Sequence, residues 1–236
     1  MIFLIFLIIA FFLLLFIAPR KPKHVLNIYF GVPGSGKSTF AAYLTRQSLK
    51  ESPVIRFCNK HDNWKICGLI LGLKLFKRST PVYSNVPITG AYQLDARSDL
   101  GFYDVSDAKI IIDEAGIEYN NRDFKSFPKE SIYFYKYHRH YKTSIDVFSQ
   151  SYDDMDITLR RLAQNFYVVK KSLIPCFIVV KRFRRKISVN DQNQIADIYS
   201  NGIPIIDSKW VFCPPLWKMF NSYSTKKLPS KEFEKW

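Results

Sequence analysis

A chain of 236 residues with 47% hydrophobic and 23% charged side chains carries enough apolar material for a packed core. That excludes a disordered polymer and leaves room for one α/β domain with appendages. Lys and Arg number 35 against 20 Asp and Glu, a net charge of +15, so the expected partner is anionic: nucleic acid or an anionic lipid surface.

Residues 2–18, IFLIFLIIAFFLLLFIA, contain no polar side chain. At 1.5 Å per residue a helix of this length covers about 25 Å, the short end of what crosses a bilayer. A secretory signal starts with positive charge and ends at a small-residue cleavage site. Here the charge follows the segment, as Arg20, Lys21 and Lys23. The expectation is a retained transmembrane anchor over residues 1–19, a linker over 19–24, and the remainder on the cytoplasmic side of the host plasma or inner membrane. Cys58, Cys67, Cys176 and Cys213 form no C-x-x-C pair and have no cluster of His, which fits reduced thiols in a cytosolic domain rather than zinc or disulfides.

A strand over about 25–30, a glycine-rich loop and a helix over about 37–50 open the domain in the manner of a parallel α/β sheet. SPVIRFC and PVYSNVPI read as further strands, and ICGLILGLKLF (66–76) as either a buried helix or a segment at the membrane interface. The run AKIIIDEAG has the near-continuous apolar character of a central strand and ends in two carboxylates. SIYFYKYHRHY is expected to form a helix leading into the strand TSIDVFSQS. DDMDITLRRLAQ is expected to form a helix capped by Asp153 or Asp154. NFYVVKKS and CFIVVKRF read as an antiparallel hairpin around Pro175. The expected architecture is a P-loop NTPase fold of the α/β class, with a mainly parallel central sheet flanked by helices over 20–186. A basic and aromatic C-terminal extension is expected over 187–236.

GVPGSGKST, residues 31–39, meets the G-x-x-x-x-G-K-[ST] pattern through Gly31, Gly36, Lys37 and Ser38, in the strand–loop–helix context that the pattern requires. The intervening Val32, Pro33, Gly34 and Ser35, with Thr39 beyond, complete the cradle expected for ATP. Backbone N–H groups there wrap phosphates at the positive end of a helix. Lys37 is placed to reach the β- and γ-phosphates and Ser38 to ligate Mg2+. Asp113 closes an apolar strand and suits the Mg2+ site, while Glu114 beside it suits a general base for water. That pairing favours ATP hydrolysis over phosphate transfer between nucleotides. Gln150, at the end of the next strand, could sense the γ-phosphate, orient water, or simply end a strand.

The ordered set GVPGSGKST, VYSNVPI, IIIDEAG and YHRHYKTSIDVFSQSYDDMDITLRRL resembles the zonular occludens toxin family, which includes the assembly ATPases of filamentous phages. The likeness spans about residues 24–172. It implies an oligomeric membrane ATPase that helps extrude phage single-stranded DNA as coat protein wraps it. It also implies a sensor role for Gln150, and for Arg160 either a reach to a neighbour's phosphate in a ring or the role of a solvated helix cation. Unlike the better-known phage members, the apolar segment here precedes the ATPase, which fits a host with a single membrane.

The residues themselves speak to DNA in two places. KRFRRK (181–186) could follow phosphates or hold the domain against anionic lipid. Tyr133, Phe134, Tyr135, Tyr137 and Tyr141 alternate with Lys136, Arg139 and Lys142, as a base-stacking surface does. At helical spacing, however, Phe134, Tyr137 and Tyr141 form a stripe expected to face the core. A motor for DNA export in virion assembly is therefore weighed against a general translocase for plasmid or conjugative transfer and against a membrane scaffold that binds nucleotide as a switch. Glu114 separates the last from the others, because a pure switch has little use for a second carboxylate.

Overall fold

The computed structural model describes residues 24–51, 79–115, 128–152, 155–189, 195–201 and 207–220. The apolar segment 2–18, the strand SPVIRFC, the segment 66–76 and the residues Asp153 and Asp154 lie outside the described residues. Among the described residues no helix is long and apolar enough to cross a membrane.

The chain alternates strands and helices: β1 (Leu26–Phe30), α1 (Lys37–Leu49), β2 (Val82–Ser84), β3 (Tyr92–Gln93), β4 (Lys109–Ile112), α2 (Lys129–Tyr137), β5 (Ser144–Ser149) and α3 (Ile157–Leu162). Four further strands follow, β6 (Asn165–Lys171), β7 (Phe177–Val189), β8 (Ile195–Asn201) and β9 (Ser208–Phe212), and then a 3-10 helix (Pro214–Met219). They build one nine-stranded sheet in the order β3-β2-β4-β5-β1-β6-β7-β8, with β9 also paired to β7. Strands β3 through β6 along that order run parallel. β6, β7, β8 and β9 form an antiparallel wing. The mainly parallel sheet and the β6–β7 hairpin thus match expectation. The expected boundary at 186 falls inside β7, and β8 and β9 pair with that strand in the same sheet.

Parallel strands need cover on both faces, and the side chains divide accordingly. In β4, Ile110 and Ile112 join Leu26, Ile28, Phe134, Tyr135 and Leu159 beneath α2 and α3. Ile111 points the other way, with Tyr29, Phe40, Phe148 and Leu216 beneath α1 and the 3-10 helix. Helix α1 lies close to the sheet because it presents Ala41 and Ala42, both fully buried. On that face Tyr29 stacks between Phe148 and Tyr167, with ring centroids 4.8 Å apart on each side.

Two expectations are corrected. Helix α3 is capped by Asp156, whose carboxylate accepts from the Thr158 and Leu159 amides at 2.6 and 3.3 Å; it sits one residue ahead of the helix, the position from which a side chain reaches the second and third amides. The buried face of α2 is Ser131, Phe134 and Tyr135, continued by His138 just past its end. Tyr137 and Tyr141 are exposed, as is Tyr133, and Tyr133 and Tyr137 stack on one another at 5.9 Å. The core phase of the helix includes two polar residues because each finds a partner there. Ser131 Oγ donates to the Leu100 carbonyl at 2.8 Å, and His138 sits between the carbonyls of Tyr135 (2.7 Å) and His24 (3.1 Å).

Candidate functional site

Strand β1 delivers the chain to residues 31–36 at the carboxyl edge of the sheet, where α1 begins at Lys37. The loop opens by donating the Gly31 N–H to the Ser149 carbonyl at 3.3 Å, which ties it to the end of β5. Gly34 (φ +74°) and Gly36 (φ +97°) take left-handed backbone that residues with a β-carbon rarely adopt. Gly36 has a second constraint, since a β-carbon there would stand 2.7 Å from Cγ2 of Ile178 on β7. The hairpin therefore buttresses the loop from outside. Lys171, at the end of β6, brings its ammonium to 3.9 Å from where a β-carbon on Gly34 would lie.

Inside the loop Lys37 is buried, and its Nζ donates to the carbonyls of Gly31 (2.6 Å) and Val32 (3.2 Å). Burial lowers its pKa, opposed by the charges of Asp113 and Glu114. Ser38 Oγ donates to Asp113 Oδ2 at 2.9 Å. Asp113 is itself buried, and desolvation raises its pKa against the Ser38 bond, the Glu114 amide bond and the Lys37 charge. Glu114 is exposed and sits at φ +53°, its amide donating to Asp113 Oδ1 at 3.0 Å.

The strand order brings these groups together. β5 lies between β1 and β4, pairing Phe30 with Ser149 and Ile112 with Val147. Gln150, exposed and one residue past β5, therefore emerges between the loop after β1 and the two acids after β4. Arg160 lies on α3, on the face of the sheet opposite α1, and its guanidinium sits 4.4 Å over the ring of Tyr152, which packs against Phe30 at the end of β1. Arg182, from the basic run, donates to Asn165 Oδ1 at 2.6 Å.

A hydroxyl beside a buried carboxylate is a hard-oxygen pair of the kind Mg2+ accepts, with phosphates and water supplying its other positions. Burial alone opposes the charged form of Asp113, and a divalent cation at that pair would favour it. Among the described residues no group of three His, Cys, Asp or Glu could hold a metal, and a site completed by phosphates needs none.

Asn85, within VYSNVPI, bonds twice to the backbone of Asp113, a role the motif alone does not disclose. It also lines a cavity of about 660 Å3 between β2, β3 and the 3-10 helix, together with Tyr92, Gln93 and Lys218. Lys171 left no signal in its own segment, since only the pairing of β6 beside β1 carries it to the loop.

The sequence pattern of the zonular occludens toxin (Zot) family matches residues 25–227. The chain belongs to the Zot family. Among solved structures, the crystal structure of the N-terminal domain of zonular occludens toxin from Neisseria meningitidis is 15% identical, with a TM-score of 0.50. The match covers 85% of this chain and 100% of that one, and at that identity it shows the fold alone. The DNA-packaging ATPase B204 from Sulfolobus Turreted Icosahedral Virus is 10% identical over 78% of this chain and 100% of its own, with a TM-score of 0.39, too low to carry a functional argument. No curated protein matches the chain.

Proposed function

We propose that this Zot-family chain is a membrane-anchored, Mg2+-dependent ATPase that powers the assembly and extrusion of filamentous phage, moving single-stranded DNA through the cell membrane as coat protein is added. The observation that carries the enzymatic part is the convergence of Lys37, the Ser38–Asp113 pair and Glu114 at the carboxyl ends of β1 and β4. Gly31–Thr39 would cradle the ATP phosphates, and Ser38 and Asp113 would hold Mg2+. When bound, the cation supplies charge neutralisation at the β- and γ-phosphates.

The chain's own groups do the rest. Lys37 exchanges its two loop carbonyls for phosphate oxygens, the Glu114 carboxylate accepts a proton from the attacking water, and Gln150 orients that water. A carboxylate adjacent to the Mg2+-binding one is what favours turnover over a switch. Arg160, on α3 beside Tyr152, is the candidate to act on a neighbour's phosphate in a ring.

The export part rests on other features. Residues 2–18 with Arg20, Lys21 and Lys23 behind them support a single anchor with the ATPase domain inside. The exposed Tyr133, Tyr137 and Tyr141 on a strongly basic chain support a surface that stacks bases.

The test uses full-length protein in detergent or liposomes. Wild type should release phosphate from ATP in a Mg2+-dependent manner. Lys37→Ala should lose both binding and turnover, and Glu114→Gln should bind ATP without hydrolysing it. Wild-type turnover in Glu114→Gln removes the base assignment, and absence of turnover in wild type removes the ATPase reading.

A further inference from the structure

Asn85 directly follows β2, and its side-chain amide closes on one residue next to β4. Nδ2 donates to the Asp113 carbonyl at 2.9 Å, and Oδ1 accepts from the Asp113 N–H at 2.8 Å. The backbone pairing of β2 with β4 ends at Ser84↔Ile111. The Asn85 amide thus supplies the next two bonds of the ladder while the main chain leaves toward Val86 and Pro87. An amide carries one acceptor oxygen and donor hydrogens in the arrangement that a peptide group demands. Neither a hydroxyl nor a carboxylate reproduces both halves of that match.

The clamp bears on the neighbour of Asp113. Glu114 occupies left-handed backbone at φ +53°, a conformation that persists in such residues only when the surroundings over-determine it. Here it is held on both sides: the Asp113 backbone is pinned by Asn85, the Glu114 N–H is bound to Asp113 Oδ1, and Ala115 is fully buried. Without Asn85 the 113–114 peptide loses its tether to β2 and keeps only the Glu114 N–H bond to Asp113 Oδ1 to hold its direction.

We infer that Asn85 is a positioning residue for the two carboxylates, fixing through the Asp113 peptide both the contact of Asp113 with Ser38 and the direction in which Glu114 is presented. The catalytic consequence rests on the ATPase reading; the effect on the metal-binding carboxylate does not depend on turnover.

The experiment compares full-length wild type with Asn85→Ala, Asn85→Asp and Ser131→Ala. The last removes a buried hydrogen bond to Leu100, on the face of the sheet opposite α1, and calibrates a purely structural loss. Three quantities are read: steady-state hydrolysis, affinity for a fluorescent ATP analogue without metal, and Mn2+ affinity in the analogue complex by electron paramagnetic resonance. Asn85→Ala should lower kcat by about 10- to 100-fold, the scale of a misplacement near one ångström. Its KM and analogue affinity should stay within about threefold, since the phosphate cradle is untouched. Mn2+ should bind more weakly. Asn85→Asp is isosteric but sets an oxygen against the Asp113 carbonyl, so it should not rescue.

Full activity in either Asn85 variant overturns the inference, as does a fall in kcat and analogue affinity together that tracks lost stability as in Ser131→Ala. If wild type shows no turnover, the ATPase reading fails on its own, and unchanged Mn2+ affinity in Asn85→Ala then overturns the positioning role.

Discussion

Replacing Gly36 with Ala tests whether the hairpin shapes the phosphate loop. Two costs arise at once. The backbone at φ +97° and ψ 22° penalises a β-carbon by about 1–2 kcal/mol. The new methyl would stand 2.7 Å from Ile178 Cγ2, and overpacking of this kind costs about 1–3 kcal/mol. Against these, Ala restricts the unfolded chain and returns about 0.4–1 kcal/mol. The net expectation is a loss of about 1–5 kcal/mol, large beside the stability of an ordinary domain. Chemical denaturation of Gly36→Ala, Ile178→Ala and the double variant separates the terms. Ile178→Ala alone should cost about 2–5 kcal/mol as a core truncation. In the double variant the clash is gone while the backbone cost remains, so the pair should be less destabilised than the sum of the singles by about 1–3 kcal/mol. Strict additivity would refute the contact as the source of strain and leave Gly36 required for its backbone alone.

Asp113→Asn should abolish hydrolysis yet raise thermal stability. Burial lifts the Asp113 pKa, so the folded chain holds that proton more tightly than the unfolded chain. The stabilisation this gives wild type is complete below the ordinary carboxylate range and is lost as pH rises through the raised value. The advantage of the Asn variant should therefore be largest near neutral pH and shrink toward about pH 4; a melting-temperature difference independent of pH would contradict the cause assigned. Asp156→Ala should cost about 1 kcal/mol through loss of the α3 cap while leaving affinity for an ATP analogue unchanged, measured by denaturation and fluorescence titration. Changing Tyr133 and Tyr137 together to Ser should leave stability almost unchanged and weaken single-stranded DNA by about 1–3 kcal/mol per base no longer stacked; unaltered affinity in a filter-binding titration would remove that surface from the DNA path.

The candidate site was readable because each of its parts is local. A glycine loop between an apolar strand and a helix, and a run of isoleucines ending in Asp113 and Glu114, declare themselves within ten residues or so. Where several neighbours carry the same chemistry, tertiary packing decides. Asp153, Asp154 and Asp156 are all capping residues by type, and Asp156 serves because it places Leu159 in the core. On α2 the buried positions 131, 134, 135 and 138 have ideal helical spacing, but Ser131 and His138 disguise the face, since their hydrogen-bond partners Leu100 and His24 are remote in sequence. The Asn-containing strand was part of the family resemblance, but the role of Asn85 was hidden for the same reason. Its bonds join residues 28 positions apart, and nothing in VYSNVPI states that the strand will lie beside Asp113.

The least legible feature is also the one that aligns the candidate site. Toward the amino ends of the strands, a polar ladder crosses β4, β5, β1, β6 and β7. Lys109 Nζ pairs with Asp146 at 2.5 Å, Asn27 donates to Asp146 at 2.8 Å, Asn165 donates to Asn27 at 2.8 Å, and Arg182 donates to Asn165 at 2.6 Å. Asp146 is fully buried, and a carboxylate in that position is costly unless every partner arrives in register. Slipping any one of these strands by a residue would turn its rung to the opposite face and strand the charge in an apolar layer. The ladder thus penalises misregister far more steeply than Ile or Val could, because one apolar contact resembles another. The same registers carry Phe30 level with Ser149 and Ile112 level with Val147. Those pairings put Gly31, Gln150 and Asp113 at one edge. Polar residues at one end of the sheet therefore set the alignment on which the candidate site at the other end depends.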